Sequence, residues 1–251
     1  QREKDTADLH NFLVCLLLAV AVHAVSILLA CAVLRGKDGT CGVLRFGAVF
    51  SNCGFMGYPV MTSLIGTIGV FYGSAYNVIF TVLSWTYGIY AITGDKTQLK
   101  LRPLLLNPGV ISIVLALALY LLEITLPDII MTPVTYLSAL NTPLPMVVVG
   151  SQLSHADFRA ALKGASSWIT MLLRLVAFPL LSLGICLALG LNSDLTMVLV
   201  IAASAPAAAL LSMLSAKFEL DSELASSMVS VQTAFSALTM PLVVSLVDYL
   251  A

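Results

Sequence analysis

Long apolar stretches dominate the chain, separated by short polar clusters. Eight of them, 12–34, 43–66, 70–93, 104–126, 131–153, 166–191, 195–216 and 223–250, reach the ~20 residues that a helix needs to cross ~30 Å of hydrocarbon. None alternates with period two, as a barrel strand would. In lipid, backbone groups are satisfied only within a helix or a closed barrel. The pattern therefore predicts an all-α integral membrane protein with eight visible spans and no soluble domain. The first stretch is too long for the ~7–15-residue core of a signal peptide.

Two stretches are interrupted midway. The second reads GAVFSNCGFMGYPVMTSLIG, with Ser51, Asn52, Gly54, Gly57 and Pro59; the seventh carries Ser204 and Pro206. Proline removes an N–H and clashes with the carbonyl four residues back, and glycine weakens a helix further. At 1.5 Å per residue, Asn52 lies ~14 Å and Pro206 ~17 Å into the bilayer. Each interrupted span is second in a triplet, spans one to three and six to eight. Strict alternation of direction inverts one triplet relative to the other, a layout typical of transporters. Two breaks at matched depth would bring half-helix N-termini together at the midplane, where free N–H groups favour an anion.

Other polar groups fall at the same depth. Asn77 in the third span and Gln232 with Thr233 in the eighth either line such a site or bond helices together. Arg174 is the one charge deep in a span. It can serve as counter-charge to an anionic substrate, pair with helix-end carbonyls, or extend to the interface. The candidate substrate-binding set is Ser51, Asn52, Gly54, Asn77, Arg174, Ser204, Pro206 and Gln232.

Composition and charge narrow the classes. The chain is 59% apolar and 10% charged, with net charge −1, against about 25% charged in a soluble domain. No basic stripe exists for nucleic acid. Of the cations in the loops and at span ends, Arg35, Lys37, Arg45, Lys96, Lys100, Arg102, Arg159, Lys163 and Lys217 sort to one side, against Arg2 and Lys4 on the other. That bias assigns the loops 36–42, 94–103, 154–164 and 217–222 to the cytoplasm of a multi-pass protein in the cell membrane, with both ends of this chain outside. The five cysteines form no ligand or redox pattern and read as small apolar fillers. No motif calls for a cofactor, a metal or enzymatic catalysis.

Spans four and five lack symmetry partners. A two-fold inverted repeat predicts two further helices ahead of residue 1, ten in all.

The residues also resemble a known family. RFGAVFSNCGFMGYPV (45–60), YGSAYNVIF (72–80), LLLNPGVIS (104–112), NTPLPMVVVGSQLS (141–154), LLRL (172–175) and APAAALLSMLSAKFELDSELAS (205–226) resemble the auxin efflux carriers in their short prokaryotic form. The resemblance implies two inverted five-helix repeats, as in bile acid:sodium symporters, with the second and seventh spans crossing where they unwind. It implies a mobile transport unit, 1–93 with 166–251, sliding in an elevator movement against a scaffold, 104–153 plus the two upstream helices. It further implies a small organic acid as substrate, an auxin-like weak acid or malate or malonate, and leaves room for a homodimer through the scaffold. Asn52 matches the crossover asparagine of the plant carriers and Pro206 their second crossover proline. Ala207 and Ala208 depart from the polar residues found there in plants, and the 94–103 loop is much shorter. A passive anion channel and a membrane ligand sensor remain the alternative readings.

Overall fold

A computed structural model describes residues 5–36, 39–98, 105–106, 108–140, 143–154, 158, 162 and 164–250. The chain runs through α1 (Thr6–Val33), α2 (Gly39–Val49), α3 (Tyr58–Leu64), α4 (Thr67–Thr93), α5 (Pro108–Leu121), α6 (Asp128–Ala139), α7 (Pro143–Ser154), α8 (Ala165–Ala188), α9 (Ser193–Ser204), α10 (Leu210–Lys217) and α11 (Ser222–Leu250). Among the described residues, α1, α4, α8 and α11 are long and apolar enough to cross a bilayer unbroken. The π-helical turns Ser84–Gly88 and Leu173–Ala177 lie within α4 and α8, and a third, Cys53–Gly57, leads into α3.

Several boundaries differ from the apolar pattern. α1 starts six residues before position 12 because Asp5 caps it, its carboxylate accepting from the Ala7 N–H at 2.8 Å. The earlier start carries Asp8 into the helix, where it is buried and accepts the Tyr72 hydroxyl at 2.8 Å. Among its described residues the fourth stretch gives the 14-residue α5, ~21 Å long. Of the fifth, the described residues give α6 and α7, with 141–142 outside them, and the Leu144 N–H donates to the Leu140 carbonyl at 3.1 Å. α7 runs through Gly150 and Gln152 to Ser154. The expected inner loop 154–164 lies largely outside the described residues.

The core forms two stacked clusters. One packs Phe12, Ala19, Met61, Tyr76, Leu199 and Val243 from α1, α3, α4, α9 and α11. The other packs Ala30, Phe46, Phe50, Phe178, Leu211 and Met228 from α1, α2, α8, α10 and α11. α2 and α4 approach closely at Gly42, where a Cβ would collide with the Ala91 carbonyl oxygen. Gly69 and Gly73 similarly let α4 pack against Met61 and Ile65. α5 and α6, by contrast, have no buried residue; Ile129 is 84% and Tyr136 73% exposed.

Candidate functional site

The second and seventh stretches break where the sequence interrupts them. α2 stops at Val49. α9 stops at Ser204, because Pro206 forces Ala205 out of the helical region (ψ 144°). The two unwound segments lie antiparallel, with Ser51 opposite Ala207. The Asn52 N–H donates to the Pro206 carbonyl at 2.7 Å, and the Ala208 N–H to the Phe50 carbonyl at 2.9 Å. Each break thus satisfies backbone groups that the other exposes, a necessity in a water-free interior.

The helices that end at this crossing leave carbonyl oxygens behind, and Arg174 collects them. The side chain is 1% exposed. Its Nη1 donates to the carbonyls of Ala48 (3.1 Å) and Val49 (2.7 Å), its Nη2 to that of Ala203. One planar guanidinium therefore joins the C-terminal ends of α2 and α9, which a lysine's point charge cannot do with the same fork. It projects from the π turn of α8, with its guanidinium carbon 5.8 Å from the Phe178 ring centre. Gln232 of α11 adds a second brace. Its Oε1 accepts the Ala207 N–H at 3.0 Å, and its Nε2 donates to the Gly47 carbonyl at 3.4 Å.

The remaining candidates divide by whether their polar atoms are occupied. The Ser204 hydroxyl is spent on the Val200 carbonyl of its own helix at 2.6 Å. Thr233 likewise donates to Val229. Pro206 contributes its carbonyl to the bridge. Asn77 faces the first break, where its Oδ1 accepts the Cys53 thiol at 3.6 Å and stands 3.6 Å from where a Gly54 Cβ would be. Asn52 Nδ2 and Ser51 Oγ are buried with no hydrogen-bond partner. The Asn52 backbone carbonyl caps the π turn, accepting from the N–H groups of Met56 (3.0 Å) and Gly57 (3.3 Å), while its side chain caps nothing. The crossing thus gathers all eight candidates, but Arg174, Gln232, Ser204 and Pro206 bind protein groups. Asn52 and Ser51 keep polar atoms free.

Sequence reasoning gave His23 no place at this level and read Tyr76 only as a core or interface-belt aromatic. His23 of α1 and Tyr76 of α4 are each 1% exposed, their rings 4.8 Å apart, and His23 lies 6.2 Å from Phe50. A lone histidine inside an apolar run was the available signal.

This geometry coincides with a family match over nearly the whole chain. Residues 1–244 match the family model described as membrane transport protein. The chain belongs to this family, that of the auxin efflux carriers. An uncharacterized transporter of Methanocaldococcus jannaschii is 30% identical over 242 residues, covering 92% of this chain and 75% of that protein. A second, from Methanothermobacter thermautotrophicus, is 30% identical over 216 residues, covering 83% of this chain and 69% of its relative. As a member of the auxin efflux carrier family with several membrane-capable helices, the chain is a multi-pass membrane transporter. In that setting the paired breaks, Arg174 and Gln232 become parts of a transporter's interior.

Proposed function

We propose that this chain is a secondary carrier for a small organic anion, an auxin-like weak acid or a carboxylate such as malate or malonate, bound where the two broken helices cross. The observation that carries this is the Arg174 clamp beside the unpartnered amide of Asn52. Each helix end bears about half a unit charge, negative at C-termini and positive at N-termini. The two C-terminal ends sum to about −1 and are offset by the guanidinium. The starts of the Cys53–Gly57 turn and of α10 then leave about +1 uncompensated. An anion there meets helix N–H groups together with Asn52 and Ser51.

Movement follows an elevator scheme. Residues 1–93 and 166–251 form the transport unit and 104–153 the scaffold, an arrangement supported by the buried residues of both core clusters, which among the described residues come from the former. The scaffold face is also the proposed homodimer contact, and the plasma or inner membrane the proposed location.

The test is uptake of radiolabelled malonate, malate and indole-3-acetate into proteoliposomes. Asn52→Ala is expected to abolish saturable uptake while the protein still purifies as a folded membrane protein. Transport by Asn52→Ala at the wild-type rate sinks the site. Flux without saturation or counterflow favours a channel instead.

A further inference from the structure

His23 is a buried titratable group with no place in the clamp. It sits two-thirds of the way along α1, level with Phe50 and the first break. Its Nδ1 lies 2.8 Å from the Ala19 carbonyl oxygen. A carbonyl only accepts, so Nδ1 carries the proton and Nε2 presents a lone pair. That Nε2 is buried and has no hydrogen-bond partner. A buried acceptor left open in an apolar interior is disfavoured unless something occupies it during function.

The groups around His23 define what that occupant is. Tyr76 of α4 stacks at 4.8 Å, and Phe50 of the unwound segment at 6.2 Å. Arg174 of α8 holds the carbonyls of Ala48 and Val49, immediately ahead of Phe50. From α9 nothing titratable faces it, since that helix carries only Asp194, in its first turn. Along α1 itself, Cys15 lies two turns away and Asp8 about four. Among the described residues of α1 and α9 no carboxylate therefore stands beside it to balance an imidazolium, and the Arg174 cation held at the break next to Phe50 opposes one.

We propose that His23 is the proton-binding site that couples this carrier to a proton gradient, taking one proton at Nε2 together with each organic anion bound at the crossing. The proposal rests on the organic-anion reading above. With the crossing empty, a proton on His23 would add a second cation to the Arg174 charge at the break, in a low dielectric. An anion at Asn52 offsets that repulsion and raises the affinity of Nε2 for a proton. By linkage, the protonated ring raises anion affinity by the same factor. Proton and anion then enter and leave together. The proton comes from the water on the loading side and returns to water on the other, with no bond made or broken but N–H.

The test uses the full-length protein in proteoliposomes held at zero potential with potassium and valinomycin. The interior is one pH unit alkaline, and the probes are radiolabelled malonate, malate and indole-3-acetate. Wild type is expected to concentrate its substrate by up to about tenfold over protein-free vesicles, the limit for one proton per anion. His23→Gln and His23→Asn are expected to retain anion–anion exchange and to lose the accumulation. Independently of any variant, an internal pH dye should report proton entry when an inward anion gradient drives wild-type uptake. Anion flux without proton entry, or undiminished accumulation by both variants, overturns the role of His23 and leaves the crossing site standing. If wild type carries none of these anions, the organic-anion reading falls and the coupling with it.

Discussion

A guanidinium inside a membrane helix must be matched by acceptors, and Arg174 finds three carbonyls belonging to Ala48, Val49 and Ala203. Replacing it with leucine leaves these buried oxygens without a donor, at roughly 1–3 kcal/mol for each unsatisfied group. Arg174→Leu should therefore lower the melting temperature of the detergent-purified protein markedly, by several degrees or more, with Arg174→Lys intermediate. Asn52→Ala should differ in kind. Its Nδ2 bonds nothing, so its removal should change the melting temperature little while abolishing transport. Equal thermal losses in Asn52→Ala and Arg174→Leu would argue against this separation of bracing from binding. Both residues were legible in the sequence, as a lone charge and a lone amide among apolar neighbours. The division of labour between them was not. The partners of Arg174 are backbone oxygens up to 126 positions away, and a carbonyl leaves no trace in residue type. Gln232 was ambiguous between lining and bracing for the same reason.

The elements divide into those whose limits follow from hydrophobicity and those set by single residues. The breaks after Val49 and Ser204 were readable because Pro206, Asn52 and the nearby glycines interrupt long apolar runs. α1's early start depended on the Asp5 cap, a local hydrogen bond outside the apolar run. Packing between elements gives a sharper expectation. At Gly42 a methyl would collide with the Ala91 carbonyl oxygen and meet the Ile92 Cα at 2.9 Å, both backbone atoms that cannot rotate away. Gly42→Ala should force α2 from α4 and destabilise by roughly 1–3 kcal/mol. Because α2 delivers the first break to the crossing, transport should fall as well. Gly184 of α8 has nothing within 4 Å of its would-be Cβ. Gly184→Ala should be neutral or raise stability by ~0.5–1 kcal/mol through helix propensity. Thermal melting of the pair checks both; equal effects would disprove the α2–α4 contact.

At the scale of the whole molecule, the inverted relation between the two triplets depends on how many times the middle of the chain crosses the membrane. The described parts of α5, α6 and α7 have 14, 12 and 12 residues, ~21, ~18 and ~18 Å, each short of ~30 Å of hydrocarbon, and α6 and α7 adjoin at 140–143. Placed end to end they make one crossing; folded back as a re-entrant pair they make none. The two cases put opposite sides of the membrane at the start of α9. With one crossing there, and one each counted for the fourth stretch around α5 and for α8, three crossings separate Lys96 from Ser193, and the two residues face opposite sides. With a re-entrant pair only two separate them, both residues face the cytoplasm, and α8–α11 repeats α1–α4 in parallel rather than inverted. Both positions are exposed and accept a probe. In a background with the five native cysteines replaced, Lys96→Cys should react with a membrane-impermeant maleimide only from the cytoplasmic side, as the positive-inside bias requires. Ser193→Cys should react only from the outer side. Labelling of both from the cytoplasm would remove the inverted symmetry. The crossing would keep its hydrogen bonds, but the exchange of roles between two mirrored halves, on which the elevator scheme depends, would lose its basis.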